Sequence, residues 1–117
     1  MSIVQDLCSR LPYGVKVLYK HSVFDIDYIS SMYEEVHLDI VDNYTIGISE
    51  IKPYLFPLSS MTEEQSKIYH ELIGGMFGTS ALINFEVLED FFHKNHLDYK
   101  GLIEKNLAID ATKLNVY

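Results

Sequence analysis

Basic residues are scarce in this 117-residue chain: nine Lys and Arg stand against 17 Asp and Glu, for a net charge of −8. A surface of that sign repels phosphate, and sequence-independent affinity for nucleic acid comes from neutralising phosphates with Lys and Arg, so no direct nucleic-acid partner is expected. Cysteine is nearly absent. The lone Cys8 permits neither an intrachain disulfide nor a Cys-rich zinc site, and a cytoplasmic, reducing location is the expectation. Apolar runs are short, as at Val17 to Tyr19 and Ala81 to Ile83, whereas a spanning helix needs about 20 consecutive apolar residues. The start, Met1-Ser2-Ile3-Val4-Gln5-Asp6, has no basic segment leading into an apolar one, so neither a signal peptide nor a membrane partner is expected.

Recognisable active-site patterns are missing as well. Ser59-Ser60 lacks the Gly-x-Ser-x-Gly elbow of a hydrolase nucleophile. The run from Gly74 to Ser80 lacks the Gly-Lys-Ser/Thr that a phosphate loop requires, and reads instead as the end of a helix followed by a connection. No catalytic residue and no cofactor are expected.

What is present suits a globular domain. Hydrophobic residues make up 48% of the chain, with nine Tyr and six Phe, which is too apolar for disorder and the right amount for one core over residues 1–117. Ser2 can cap a helix over about residues 2–11, in which Ile3, Val4, Leu7, Cys8 and Leu11 form an apolar stripe that would bury Cys8. Four stretches then alternate with period two. Val15, Val17 and Tyr19 lead the first, Phe24, Ile26 and Tyr28 the second, Val36, Leu38 and Ile40 the third, and Tyr44, Ile46 and Ile48 the fourth. Turns at His21-Ser22 and Asp42-Asn43 would make these strands antiparallel neighbours with one buried face.

The segment Ile51 to Leu58 carries Pro53 and Pro57, which predicts an extended apolar crossing rather than a central strand. Thr62 and Gln65 form a capping box for a helix with the stripe Ile68, Tyr69, Leu72 and Ile73, stopped by Gly74-Gly75. Asn84 is read as the cap of a further helix carrying Phe85, Leu88, Phe91 and Phe92, with Asn95 at its end, and the tail as a short helix and an extended piece. The expected fold is α+β: an N-terminal helix, a four-stranded antiparallel meander, and C-terminal helices packed on one sheet face.

Three segments carry a resemblance. Leu11-Pro12-Tyr13-Gly14-Val15, the run from Ile51-Lys52-Pro53-Tyr54-Leu55-Phe56-Pro57-Leu58 through Ser59-Ser60-Met61-Thr62-Glu63-Glu64, and the run from Asp98-Tyr99-Lys100-Gly101 to Ala108 are similar to small uncharacterised proteins of gut Bacteroidales genomes and their phages and prophages. That group often has Arg where Phe56 stands. The resemblance implies a phage-associated context and brings no catalytic residues with it.

The charge is uneven. Residues 21–51 hold Asp25, Asp27, Glu34, Glu35, Asp39, Asp42 and Glu50 without a single Lys or Arg, so −7 of the net −8 lies in 31 residues. Strand alternation would place Asp25, Asp27 and Asp39 on one outer face with Glu50 near its edge. Such a face either docks a basic protein or is simply a solvated surface that keeps the protein soluble. The leading expectation is a non-enzymatic protein-interaction module with Asp25, Asp27, Asp39 and Glu50 as its contact residues. Two alternatives stand beside it. Glu89, His93 and His96, spaced four and three apart, are a candidate metal set for a small metal-binding protein or metal-dependent enzyme; otherwise the two histidines cap carbonyls at a helix C-terminus as cations. The last alternative is a structural homo-oligomer.

Overall fold

In the computed structural model the residues described are 3–30, 32–38, 45–75 and 81–117, without the side chains of 45, 74, 75 and 81–85. The first helix, α1 (Ile3–Arg10), turns Val4 and Leu7 into the interior. Its buried side also includes Asp6 and Arg10, and Cys8 is exposed. The apolar stripe had pointed to the other flank; the ion pair Asp6–Arg10 takes the inward place that Cys8 was expected to fill. Leu11–Tyr13 forms a short 3-10 turn, closed by Gly14 at φ 75°, whose N–H reaches the Leu11 carbonyl. Only a residue without Cβ enters that left-handed region at no steric cost.

Four strands follow: β1 (Lys16–Tyr19), β2 (Ser22–Ser30), β3 (Glu35–Leu38) and β4 (Thr45–Gly47), each antiparallel to the next. The first hairpin pairs Tyr19 with Ser22, so the turn is Lys20-His21, one residue earlier than expected, with Lys20 left-handed at φ 56°. Asp42-Asn43 lies outside the described residues, as do Asp39, Ile40 and Tyr44.

The alternation holds in β1 and β3, where Val17, Val36 and Leu38 are fully buried. It breaks in β2. Ile26 opposes Leu38, but Tyr28 opposes His37 and Ile29 opposes Val36, so the register slips between Ile26 and Tyr28. A bulge adds one residue and reverses which side chains face inward beyond it. Ile29, rather than Tyr28, therefore packs toward the core, and Tyr28 is 50% exposed.

The Ile51–Pro57 segment is a strand after all. This strand, β5, sits between β1 and β6 (Leu97–Asp98) in the strand order and also pairs with β7 (Ile109–Asp110). Its ladder with β1 runs over Ile51 to Pro53, that with β7 over Tyr54 and Leu55, and that with β6 over Phe56 and Pro57. Each proline stands at the last residue of a ladder. A missing N–H is tolerated where a ladder ends and no further bond is asked of it, which is why two prolines do not exclude a strand here. The β1 pairing is antiparallel and the β6 and β7 pairings are parallel, making the sheet mixed.

Helix α2 (Glu63–Gly75) opens with the expected capping box: Thr62 N–H donates to Gln65 Oε1 at 3.0 Å and Gln65 N–H to Thr62 Oγ1 at 3.1 Å. Helix α3 (Ala81–Lys94) begins before Asn84, which is therefore inside the helix rather than its cap. Asn95 ends it, with both its backbone and side-chain nitrogens donating to the Phe91 carbonyl, and His96 is left-handed at φ 56°. The tail after Asp98 contains turns and β7, not the expected helix.

Among the described residues the apolar interior falls into three clusters. One lies between α1 and the strands, with Val4, Leu7, Val17, Val36, Leu38 and Ile51. The second joins Leu88, Phe91 and Phe92 of α3 to Leu97, with Tyr69, Leu72 and Phe56 against it. The third holds Leu55, Leu102 and Ala108. The N-terminal helix, not the C-terminal pair, thus covers β1 to β4, and α2 with α3 packs around the β5–β6 end.

Candidate functional site

Inward placement of Ile26, Val36 and Leu38 commits their neighbours to the other side of the sheet. Asp25 and Asp27 flank Ile26 on β2 and point outward, with side chains 47% and 55% exposed. Lys16 on β1 donates to Asp25 Oδ1 at 2.8 Å, and His37 Nδ1 lies 3.1 Å from Asp27 Oδ2. Tyr28, turned outward by the bulge, stacks on the same imidazole with centroids 4.9 Å apart and planes 3° from parallel. Asp27, Tyr28 and His37 are therefore one continuous surface. At the end of the hairpin Met32 and Tyr33 are 82% and 70% exposed, next to Glu34 and Glu35.

The expected contact residues separate. Asp25 and Asp27 share the outer face as predicted, and Asp39 lies outside the described residues. Glu50 belongs to a 3-10 turn, Ile48–Glu50, where its Oε2 accepts the Gly47 N–H at 3.0 Å. It lines a shallow groove together with Lys20 and Lys52, away from the face that Asp25 and Asp27 share.

Glu89, His93 and His96 do not converge as a ligand set. His93 is 6% exposed, and its Nε2 is 2.9 Å from the Tyr99 hydroxyl. His96 follows the helix, and its ring stacks on Tyr117 at 3.8 Å. Once the helix stops at Lys94, the left-handed backbone of His96 breaks the three-residue periodicity that would have aligned them. Among the described residues no group of three His, Cys, Asp or Glu is placed to hold a metal ion. Neither histidine acts as a cationic cap. Burial and the nearby Arg10 guanidinium lower both, His96 to about 4, so each is neutral at pH 7.

Around His93 lies a buried polar cluster that periodicity did not reveal. Arg10, the chain's single arginine, is fully buried. Its Nε donates to Asp6 Oδ2 at 2.8 Å and its Nη2 to the Leu97 carbonyl at 2.7 Å. Lys100 Nζ approaches Asp6 Oδ1 at 3.3 Å, and Arg10 and Lys100 lie 5.9 and 4.9 Å from the Tyr99 ring centroid. Burial, with the charges of Glu89 and Asp6, pushes the Tyr99 hydroxyl up to about 12. The legible signal was the spacing: Asp6 and Arg10 are one helical turn apart and next to Leu7. The cluster ties α1, α3 and β6 together, and the groove that Glu50 lines does not include Asp6, Arg10 or His93.

This is an α+β protein built on a mixed sheet, with three α-helices among the described residues. None of those helices is long and apolar enough to cross a membrane. No protein-family model, curated protein or solved structure matches the chain.

Proposed function

We propose that the chain is a non-enzymatic protein-interaction module of phage or prophage context that binds a basic protein through the outer face of the β2–β3 hairpin. The observation that carries this reading is the placement of exposed carboxylates, Asp25 and Asp27, beside exposed Tyr28 on one strand, with exposed Met32 and Tyr33 at the end of the same hairpin, in a segment devoid of Lys and Arg. Aromatic residues and Met are enriched at the centres of interfaces, where charges of one sign set partner choice and approach rate. The ion pair with Lys16 does not oppose docking. A surface pair is worth about 0–1 kcal/mol, so an incoming guanidinium can replace it. Tyr28 and Tyr33 supply aromatic faces on which such a guanidinium stacks.

The test is affinity purification from the native host with wild-type, D25K/D27K, Y33A and E50K chains, repeated as salt is raised from about 0.1 to 0.5 M. The expected partner has a basic surface, is lost with D25K/D27K and at high salt, is weakened by Y33A, and is retained by E50K. Retention of every partner by D25K/D27K would sink the proposal.

A further inference from the structure

Helices α2 and α3 leave a second surface unused by the hairpin. Ile68 and Leu72 on α2, and Val87 and Phe91 on α3, are each four residues apart, a spacing that sets each pair on one face of its helix. All four line a groove of about 460 Å³ that is open to solvent. Gln65 and Asn95 also line it, bonded Nε2 to Oδ1 at 3.2 Å. Ile68 is 39% and Val87 46% exposed, so the interior does not consume them.

We propose that this groove docks an amphipathic helix of a partner protein, its apolar stripe between α2 and α3 and Lys or Arg along its flanks. Two features fix the occupant. The first is length: from Gln65 to Leu72 the groove follows about 10 Å of helix axis, which matches apolar anchors at positions i, i+4 and i+7 of a docked helix. The second is charge. The two helices carry six carboxylates against Lys67 and Lys94, a net of −4; Glu64, Asp90 and Lys94 line the groove itself, leaving it net acidic, with Asp90 accepting the Tyr13 hydroxyl. Basic flanks complement that rim. A second copy of this chain would bring its own acidic helices to an acidic rim, and small-molecule sites enclose most of their ligand, which an open groove does not.

The probe is a peptide of about 18 residues with a Leu stripe at helical spacing and Lys on its flanks, titrated into the full chain by fluorescence anisotropy. Comparison peptides keep the stripe with Glu flanks, or keep the Lys composition in scrambled order. The Lys-flanked peptide is expected to bind at least about tenfold more tightly than either comparison. Val87→Asp and Ile68→Asp, both at exposed positions and checked for folding by circular dichroism, are expected to weaken it by about tenfold or more. D25K/D27K should leave its affinity unchanged, which separates this site from the hairpin face. Equal binding of ordered and scrambled peptides, unaltered binding by both groove variants, or loss only in D25K/D27K would each overturn the proposal.

Discussion

Removing Asp6 alone should cost far more than removing both partners of the Asp6–Arg10 pair. Asp6 and Arg10 are fully buried, and among the described residues neither is completely satisfied: Arg10 Nη1 has no hydrogen-bond partner there, and Asp6 Oδ1 has Lys100 at 3.3 Å. In Asp6→Asn the guanidinium stays charged and enclosed while its counter-charge is gone, a cost of about 3–5 kcal/mol. Arg10→Met is expected to be milder, because Lys100 remains beside Asp6. Even so, it leaves the Leu97 carbonyl without the donor it has at 2.7 Å, worth about 1–3 kcal/mol. The double variant Asp6→Leu/Arg10→Met eliminates both buried charges of the pair; the carbonyl defect remains and Lys100, which also lies over the Tyr99 ring, loses its contact with Asp6, so the cost should be about 1–3 kcal/mol, below that of Asp6→Asn and below the sum of the single changes. Urea unfolding followed by far-ultraviolet circular dichroism measures all three. For a domain of this size, about 4 °C in Tm per kcal/mol makes the differences visible in a thermal scan too. Additive single and double variants, or an Asp6→Asn cost below about 1 kcal/mol, would refute the description of a mutually dependent buried pair.

Two other predictions concern stability. His96 titrates at about 4 in the folded chain and near 6.5 when unfolded, and His93 is shifted in the same direction. The unfolded chain therefore takes up protons first as the medium becomes acidic. The contribution of these rings is complete above about pH 6.5 and is lost as pH falls toward about 4. For His96 the upper bound is about 3 kcal/mol, lessened by solvent reaching a half-buried ring. His96→Asn, which suits the left-handed backbone, should flatten the slope of unfolding free energy against pH between those limits, and an unchanged slope would contradict the assignment. Leu55→Ala should cost about 2–5 kcal/mol through the cavity it leaves. Near-ultraviolet and far-ultraviolet signals should still report one coincident thermal transition, and two separated transitions would contradict a shared framework.

The elements read best from sequence were those specified locally. The Thr62–Gln65 capping box is formed by backbone and side chains three residues apart, and α2 begins where that box places it. The β1 and β3 alternation held because each strand keeps one face against α1 or its neighbours without interruption. What escaped depended on partners distant in the chain. The bulge before Tyr28 is defined by register against β3, and nothing within β2 announces it. Pro53 and Pro57 argued against a strand because local rules do not say where a ladder ends. Asp6 and Arg10 fall outside the apolar stripe read for α1, and their burial depends on α3 and the Leu97 segment, which are distant in the chain. Of the acidic surface, Asp25 and Asp27 were legible from alternation; the exposure of Tyr28 beside them was not.

Strand β5 contributes Ile51, Leu55 and Phe56 to three different apolar clusters, and this arrangement has a bearing on how the molecule can change. Seven residues serve as the common wall of every compartment, so an alteration there reaches both ends of the protein at once. The hairpin face and the helical groove lie outside that wall. Their exposed side chains can be exchanged for others, and new recognition acquired on either surface, while the framework that holds them stays as it is.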